Sequence, residues 1–301
     1  MAAVNTATEL TDLTEWFDHR RPSVQVLILD EPSGGRRCHK QRAADAVAHA
    51  AAEASHERVT AGSCGNYGLA LAVAAARLDL AAIIVVPATY RQADTRRMRD
   101  LGARVIRSGG TYEDAVIASR RLAEGGGVAD ANVDGPFSAA AVAALGEIVA
   151  GLGAVAGGPP AGLWVPLGNG TTVAAVGEVI RHRGWDTRVF GASSPGNNSI
   201  LESWPSRQHR PISPTSLTPT ATNEPLVNWS ALHGQMALDL LHTTAGDLVA
   251  VTDAQLVLAC RTLGRAGFTV SPAGAAGVAA LLLTSTGARL SGGAHVAVLT
   301  G

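Results

Sequence analysis

The chain has 301 residues, and 47% of them are hydrophobic, which is enough apolar material for the cores of two domains. The 24 Lys and Arg residues nearly balance the 25 Asp and Glu residues, so a basic field that attracts nucleic acid or an anionic membrane is excluded. Apolar runs stay short of the roughly 18 residues of a membrane span, and three scattered cysteines fit neither disulfides nor zinc, which favours the reducing cytoplasm.

Helix-like and strand-like segments alternate from about residue 40 onward. Ala-rich helices are predicted at 40–54 and 68–78, and the buried strand 82–86 follows them. The remaining helices are expected at 89–101, 112–122, 138–152, 172–183, 253–266 and 274–284, and the strands at 104–106, 163–165, 188–192, 248–251 and 295–299. This alternation predicts an α/β fold with mostly parallel sheets covered by helices on both faces. Pro, Ser and Thr crowd residues 204–225, which predicts a long loop there.

Lys40 is the only lysine of the chain, since every other Lys or Arg position holds an arginine. It begins the first predicted helix, where the helix dipole disfavours a positive charge. Such a lysine is either exposed there by chance or has lost its charge by forming an imine with a carbonyl compound. Arginine forms no imine under ordinary conditions, so the retention of a single lysine raises the second interpretation to the level of the first, and both stay open.

A glycine-rich loop connects the predicted strand 163–165 to the helix 172–183. Its residues, here called the anion loop, are Gly168, Asn169, Gly170, Thr171 and Thr172. Such a loop presents free backbone N–H groups and the positive end of a helix dipole, so it predicts an anion site. An ordinary tight turn is the alternative. A dinucleotide site fits less well, because Val173 occupies the position of the third glycine and no acidic residue ends the following strand.

Taken in this order, the motifs resemble those of the fold-type II pyridoxal phosphate (PLP) enzymes, the tryptophan synthase β superfamily. Glu31 and Lys40 keep the spacing of the family's Glu and Lys. The run Gly-Ser-Cys-Gly-Asn-Tyr-Gly at 62–68 resembles the family's Ser-Ser-Gly-Asn-His-Gly loop, and Val-Leu-Thr-Gly at 298–301 resembles a threonine synthase signature. The resemblance covers residues 25–301, nearly the whole chain.

The resemblance implies a PLP cofactor and a role for each motif. Lys40 would hold the cofactor covalently and then act as the catalytic base, while Thr300 would contact the pyridine nitrogen. Gly168, Asn169, Gly170, Thr171 and Thr172 would hold the phosphate. The substrate would bind to a second loop, here called the substrate loop, formed by Ser63, Cys64, Gly65, Asn66 and Tyr67. Asn66 would also meet the 3′-oxygen of the cofactor.

Membership of the fold-type II group would give two domains, each with a mostly parallel twisted sheet covered by helices. The smaller domain, residues 40–150, would carry the lysine and the substrate loop. The larger domain, residues 1–39 plus 151–301, would carry the anion loop and the strand that contacts the pyridine ring. We also expect a homodimer. The Asn-Pro-Thr-Gly run that precedes the family's lysine is absent, and this difference leaves the exact substrate open.

The reaction expected from the resemblance is elimination or replacement on an L-amino acid that carries a leaving group. Serine, threonine and their O-acyl or O-phospho derivatives are the substrates to consider, and residues 220–229 favour a threonine synthase-like member. Two alternatives stay open. One is a non-catalytic or regulatory PLP-binding paralogue, and the other is a Rossmann-like small-molecule binding protein without PLP.

Overall fold

The computed structural model describes residues 9–16, 24–30, 38–63, 65–88, 92–285, 290 and 292–300. The chain divides into two compact units. Unit 1 consists of Met1–His39 and Gly146–Gly301, and unit 2 consists of Lys40–Leu145. Within the described ranges, no helix combines the length and the hydropathy that crossing a membrane requires.

The strands and helices alternate along most of the described chain. The strands are β1 (Glu9–Asp12), β2 (Val24–Asp30), β3 (Arg58–Gly62), β4 (Ala81–Pro87), β5 (Arg104–Ser108), β6 (Ala129–Asp130), β7 (Gly162–Pro166), β8 (Arg188–Ser193), β9 (Asp247–Ala250) and β10 (Gly293–Leu299). The helices are α1 (Lys40–Glu53), α2 (Asn66–Arg77), α3 (Gln92–Asp100), α4 (Tyr112–Glu124), α5 (Ser138–Ala150), α6 (Leu152–Val155), α7 (Thr171–His182), α8 (Ser199–Ser203), α9 (Gly234–Thr243), α10 (Asp253–Arg265) and α11 (Ala276–Ser285).

Unit 2 contains a four-stranded sheet in the order β5-β4-β3-β6, in which all paired strands are parallel. Its central strand β3 places Val59 and Ala61 in the core, and Ile84 on the neighbouring strand is also fully buried. Because parallel strands are joined by helices that cover both faces, β4 reads as a short apolar run without alternation. Helix α1 packs on α2 through its alanines, and small side chains permit this close approach.

Unit 1 contains a six-stranded sheet in the order β1-β2-β10-β7-β8-β9. Strand β1 is antiparallel to β2, and the other pairs are parallel. Strand β2, from the first part of the chain, pairs in parallel with β10, from the last part, and Leu27 lies opposite Val296. Trp164 and Phe190 stack in the core with ring centroids 4.0 Å apart, so aromatic packing anchors β7 to β8.

The predicted α/β fold with mostly parallel sheets is confirmed. The predicted helices and strands recur in the structure with their ends shifted by a few residues. Seven elements were not predicted: β1, β2, β3, β6, α6, α8 and α9. The short strand β3 gave little local signal, because Ala and Gly have low strand propensity and only burial on both faces fixes them there. Residues 204–225 form the expected long connection, but short 3₁₀ turns interrupt it.

Candidate active site

The anion loop leads from β7 into the N-terminus of α7. Gly170 caps the helix with a φ of 83°, in the left-handed region that glycine adopts without strain, and no side chain caps the helix. Since the N-cap residue is a glycine, the first N–H groups of this 12-residue helix receive no cap from it, and they carry the positive end of the helix dipole. This geometry fits a phosphate, because a doubly charged oxyanion is the group that such an end binds best.

Three residues from the chain segment 198–233 make hydrogen bonds to the backbone carbonyls of the anion loop. The Gly168 carbonyl accepts hydrogen bonds from the Nδ2 atoms of Asn198 and Asn228, both at 3.0 Å. The Asn169 carbonyl accepts a hydrogen bond of 2.9 Å from the His233 backbone N–H. These three residues were not predicted, because a contact between residues thirty or more positions apart leaves no local pattern in the sequence.

Both glycines of the anion loop are required by packing. A Cβ atom on Gly168 would lie 2.7 Å from the Pro225 carbonyl oxygen, and one on Gly170 would lie 2.7 Å from the His233 carbonyl oxygen. A side chain at either position would point into unit 1, so the glycines permit the close approach of the supporting connection.

Thr300 and the anion loop lie at the same edge of the unit 1 sheet. Thr300 follows β10 and Gly168 comes soon after β7, and these two strands are adjacent and parallel. The carboxyl ends of parallel strands share one edge, which is where α/β sheets bind their ligands. Thr300 is buried, and its carbonyl oxygen lies 2.7 Å from Nδ1 of His39, the residue before Lys40.

Lys40 is the first residue of α1 in unit 2 and is half-buried. The next residue, Gln41, donates a hydrogen bond of 3.1 Å from Nε2 to the carbonyl of Ala70 in α2. Helix α2 begins at Asn66, one turn before Ala70. Unit 2 therefore brings the first turn of α1 beside the first turn of α2, where the substrate loop ends.

Ser63 organises the substrate loop from within. Its Oγ accepts hydrogen bonds from the N–H groups of Gly68 (2.8 Å) and Gly65 (3.3 Å), and it donates to the Gly65 carbonyl (3.1 Å). A hydroxyl has one donor and two acceptor sites, so these contacts use its full capacity. The structure thus gives this buried side chain a loop-shaping role, and direct contact with a substrate stays a prediction.

The other residues of the substrate loop differ in exposure. Asn66 is exposed, and a Cβ atom added to Gly65 would meet no atom within 4 Å, so both border open space. Tyr67 is buried, and its hydroxyl donates a 2.6 Å hydrogen bond to the Ala131 carbonyl. Burial, together with nearby carboxylates, raises the pKa of Tyr67 far above its ordinary value. The side chain of Tyr67 thus packs inside unit 2, and a contact of this residue with a substrate stays a prediction. Cys64 lies outside the described residues.

A polar network supports the start of the substrate loop. The Oδ1 atom of Asn132 accepts a 3.0 Å hydrogen bond from the N–H of Gly62, the last residue of β3. The Nδ2 atom of Asn132 donates to Asp130 and to Ser119, and Arg120 pairs with Asp130. These contacts fix the point at which the chain leaves the sheet. Sequence analysis missed this network as well, since its members belong to separate elements.

The described residues contain no group of His, Cys, Asp or Glu side chains arranged to hold a metal ion. What they do contain is an open helix N-terminus, a buried threonine at the same sheet edge, and a single lysine at the start of a helix. These features suit an organic anion with a reactive carbonyl group better than they suit a metal.

Comparison with known proteins gives a consistent result. The family model described as pyridoxal-phosphate dependent enzyme matches residues 6–301. L-threonine ammonia-lyase of Thermotoga maritima is 26% identical over 280 residues, which span 88% of this chain and 67% of that protein. A biosynthetic L-threonine dehydratase of Burkholderia multivorans is 27% identical over 168 residues, 52% of this chain and 31% of that protein. The solved structure of a fungal L-serine ammonia-lyase from Rhizomucor miehei superposes with a TM-score of 0.81 at 21% identity, covering 98% of this chain and 93% of that one.

Proposed function

The chain belongs to the family of pyridoxal-phosphate dependent enzymes, and from this premise we propose that it is a lyase acting on a serine- or threonine-type amino acid. It would expel the β-hydroxyl group as water and release ammonia and a 2-oxo acid. The names of the curated relatives support this reaction class. The observation that carries the proposal is Lys40: a PLP enzyme needs a lysine, and this chain has one.

Each part of the described geometry has a place in this proposal. The N-terminus of α7 and the anion loop would hold the phosphate, Thr300 would face the pyridine nitrogen, and the exposed Asn66 would meet the 3′-oxygen. The open space beside Gly65 would receive the substrate carboxylate. When bound, PLP supplies an electron sink that acidifies the Cα–H bond of an attached amino acid.

Lys40 would carry out the proton transfer at Cα of the substrate. Its Nζ atom, once released by the incoming amino group, would take the Cα proton as a general base. Thr300 would keep the pyridine nitrogen unprotonated, because an alcohol does not donate its proton at neutral pH. Early loss of a leaving group from Cβ is then favoured over a long-lived negative charge at Cα.

A threonine synthase type of reaction is the second candidate. It would release phosphate from Cγ of O-phosphohomoserine and add water at Cβ. Residues 220–229 and 298–301 resemble segments of threonine synthases, and this likeness favours it. We also propose a homodimer and a cytoplasmic location. The unrelated spacing of the three cysteines, which fits no disulfide framework, supports the cytoplasmic location.

The proposal is tested on the purified chain loaded with PLP. Borohydride reduction followed by peptide mapping should find a pyridoxyl group on Lys40. L-threonine or L-serine should yield ammonia and the matching 2-oxo acid. Lys40→Ala should abolish both results. Lys40→Arg, which keeps the charge but forms no imine, should also abolish them, and this matched variant separates covalent chemistry from charge.

The possible outcomes distinguish the alternatives. Release of threonine from O-phosphohomoserine, with serine and threonine left intact, would favour the threonine synthase reaction. A pyridoxyl label on Lys40 without turnover of serine, threonine, O-acetylserine, O-phosphoserine or O-phosphohomoserine would identify a non-catalytic paralogue. A chain that retains activity without Lys40 would overturn the proposal.

A further inference from the structure

The oxygen atoms of the anion loop receive hydrogen bonds from one connecting segment, residues 198–233. The Gly168 carbonyl accepts from Asn198 and Asn228, and the Asn169 carbonyl accepts from the His233 N–H. Both asparagines are oriented unambiguously. The Oδ1 of Asn198 accepts from the Ile200 N–H, and that of Asn228 accepts from the Ser199 N–H, so each Nδ2 faces the loop. In these three contacts, segment 198–233 provides the hydrogen-bond donors and the carbonyl oxygens of the anion loop are the acceptors.

The fourth contact between this segment and the loop is between two side chains. Oγ1 of Thr171 lies 3.0 Å from Nδ1 of His233, and both residues are buried. The direction of this bond depends on the proton at Nδ1. If Nδ1 carries it, His233 donates to Thr171 and the threonine hydroxyl proton is available to a ligand. If Nδ1 carries no proton, the Thr171 hydroxyl donates its hydrogen bond to His233, and its proton is not available to a ligand.

We propose that His233 is a positioning residue for the phosphate, with its Nδ1–H donating to Oγ1 of Thr171. The inference rests on the proposed placement of the phosphate at the anion loop. Thr171 is the first residue of α7, so its hydroxyl lies beside the open N–H groups of the helix. With its oxygen already accepting from His233, the hydroxyl donates its own proton to a phosphate oxygen. The other three contacts from the segment donate in the same direction.

The opposite polarity would work against the ligand. A Thr171 hydroxyl that donates to His233 turns only lone pairs toward the phosphate, and these repel its negative charge. A hydrogen bond to a charged group is worth about tenfold to a hundredfold in affinity, so the direction of this one bond should be measurable.

Two variants of His233, whose new side chains are nearly isosteric with each other, test the proposal. In His233→Asn, the amide nitrogen takes the place of Nδ1 and can still donate to Thr171. In His233→Asp, the same place holds an acceptor that must take the threonine proton. The measured quantities are the dissociation constants of PLP and of pyridoxal, which lacks the phosphate, determined by equilibrium dialysis of the full chain.

We expect His233→Asn to keep most of the affinity for PLP and His233→Asp to lose about tenfold or more. Pyridoxal should bind equally well to both variants. In a Thr171→Val background, the difference in PLP affinity between His233→Asn and His233→Asp should shrink, because the hydroxyl group that links residue 233 to the phosphate is absent. Thr171→Ser, which keeps the hydroxyl, should preserve the difference.

Other results would overturn the inference. Equal PLP affinity of the two His233 variants, or an equal loss for PLP and pyridoxal, would mean that His233 only supports the fold. Thermal unfolding of each variant identifies a general loss of structure, and the Thr171 variants then test the same bond from its other partner. A wild-type chain that binds pyridoxal as tightly as PLP would instead refute the placement of the phosphate itself.

Discussion

Two residues of the substrate loop, Ser63 and Gly65, have opposite relations to the space in which a ligand would bind. The hydroxyl of Ser63 is buried and fully occupied by its own loop, including the N–H of Gly68 in α2. Gly65 has an extended backbone with a φ of −162°, and a methyl group added to it would meet no protein atom within 4 Å. A change at Ser63 should therefore act on the loop, whereas a change at Gly65 should act on the ligand.

Gly65→Ala is predicted to weaken amino-acid binding without unfolding the chain. The new methyl group points into open space, so stability should change by no more than about 1 kcal/mol. The amino-acid concentration for half-maximal rate should rise about tenfold, because the methyl group occupies space that the substrate carboxylate needs. Steady-state kinetics and urea denaturation measure the two effects.

Ser63→Ala serves as the comparison for this prediction. It removes two accepted hydrogen bonds and should cost about 1–2 kcal/mol in the free energy of unfolding. If Gly65→Ala leaves the substrate requirement at its wild-type value, the substrate does not bind beside Gly65. The substrate-site assignment would then fail while the fold stands.

At the scale of elements, the packing of β3 against α4 positions the substrate loop. Gly62 ends β3, and a Cβ atom there would overlap the backbone nitrogen and Cα of Val116 in α4. Helix and strand are thus in direct backbone contact immediately before Ser63. The same glycine donates its N–H to Asn132, so the exit from the strand is fixed from two sides. A rigid exit of this kind holds the following loop in one conformation.

Gly62→Ala is predicted to be strongly destabilising. The added methyl group must push α4 away from β3, and overpacking of a tight contact costs about 1–3 kcal/mol. Gly109→Ala is the matched control, because Gly109 is exposed and a Cβ atom there would meet nothing within 4 Å. That control should stay within about 0.5 kcal/mol of wild type. Equal denaturation midpoints for the two variants would show that α4 shifts at no cost.

At the scale of the whole molecule, each unit places proposed site residues just beyond the carboxyl ends of parallel strands. Ser63 follows β3, the anion loop follows β7, and Thr300 follows β10. Helices begin at this edge of each sheet, and a helix N-terminus, with its free N–H groups and the positive end of its dipole, is a favourable place for an anion. Each sheet thus offers the same kind of edge, which is why the proposed site residues are far apart in the sequence.

The reaction type is a prediction for the complete enzyme. Since Thr300 is far less acidic than a carboxylic acid, whose pKa is about 4, the wild-type enzyme should expel a leaving group and show little transamination. Thr300→Asp should shift the product ratio toward pyridoxamine phosphate, whereas Thr300→Ser, which keeps an alcohol, should leave the ratio unchanged. Product analysis by chromatography measures both. Predominant transamination by the wild type would refute the assigned role of Thr300.

The sequence by itself determined the class of fold, the predicted anion loop and the single candidate lysine, and the resemblance of its ordered motifs to a known family implied the cofactor. These follow from local signals: the alternation of helix and strand patterns, the glycines of the anion loop, and the count of one lysine. Each depends on residues that are neighbours in the chain, so each can be read without knowing what packs against them.

Only the tertiary structure decided how the loops are held. The pairing of β2 with β10, the contacts of Asn198, Asn228 and His233 with the anion loop, and the internal bonds of Ser63 were not predicted. Most of these contacts join residues about thirty to more than two hundred positions apart, and such separations leave no period in the sequence. For Ser63 the reason is different. Whether a hydroxyl faces a ligand or its own backbone depends on the path of the folded loop, which its composition does not specify.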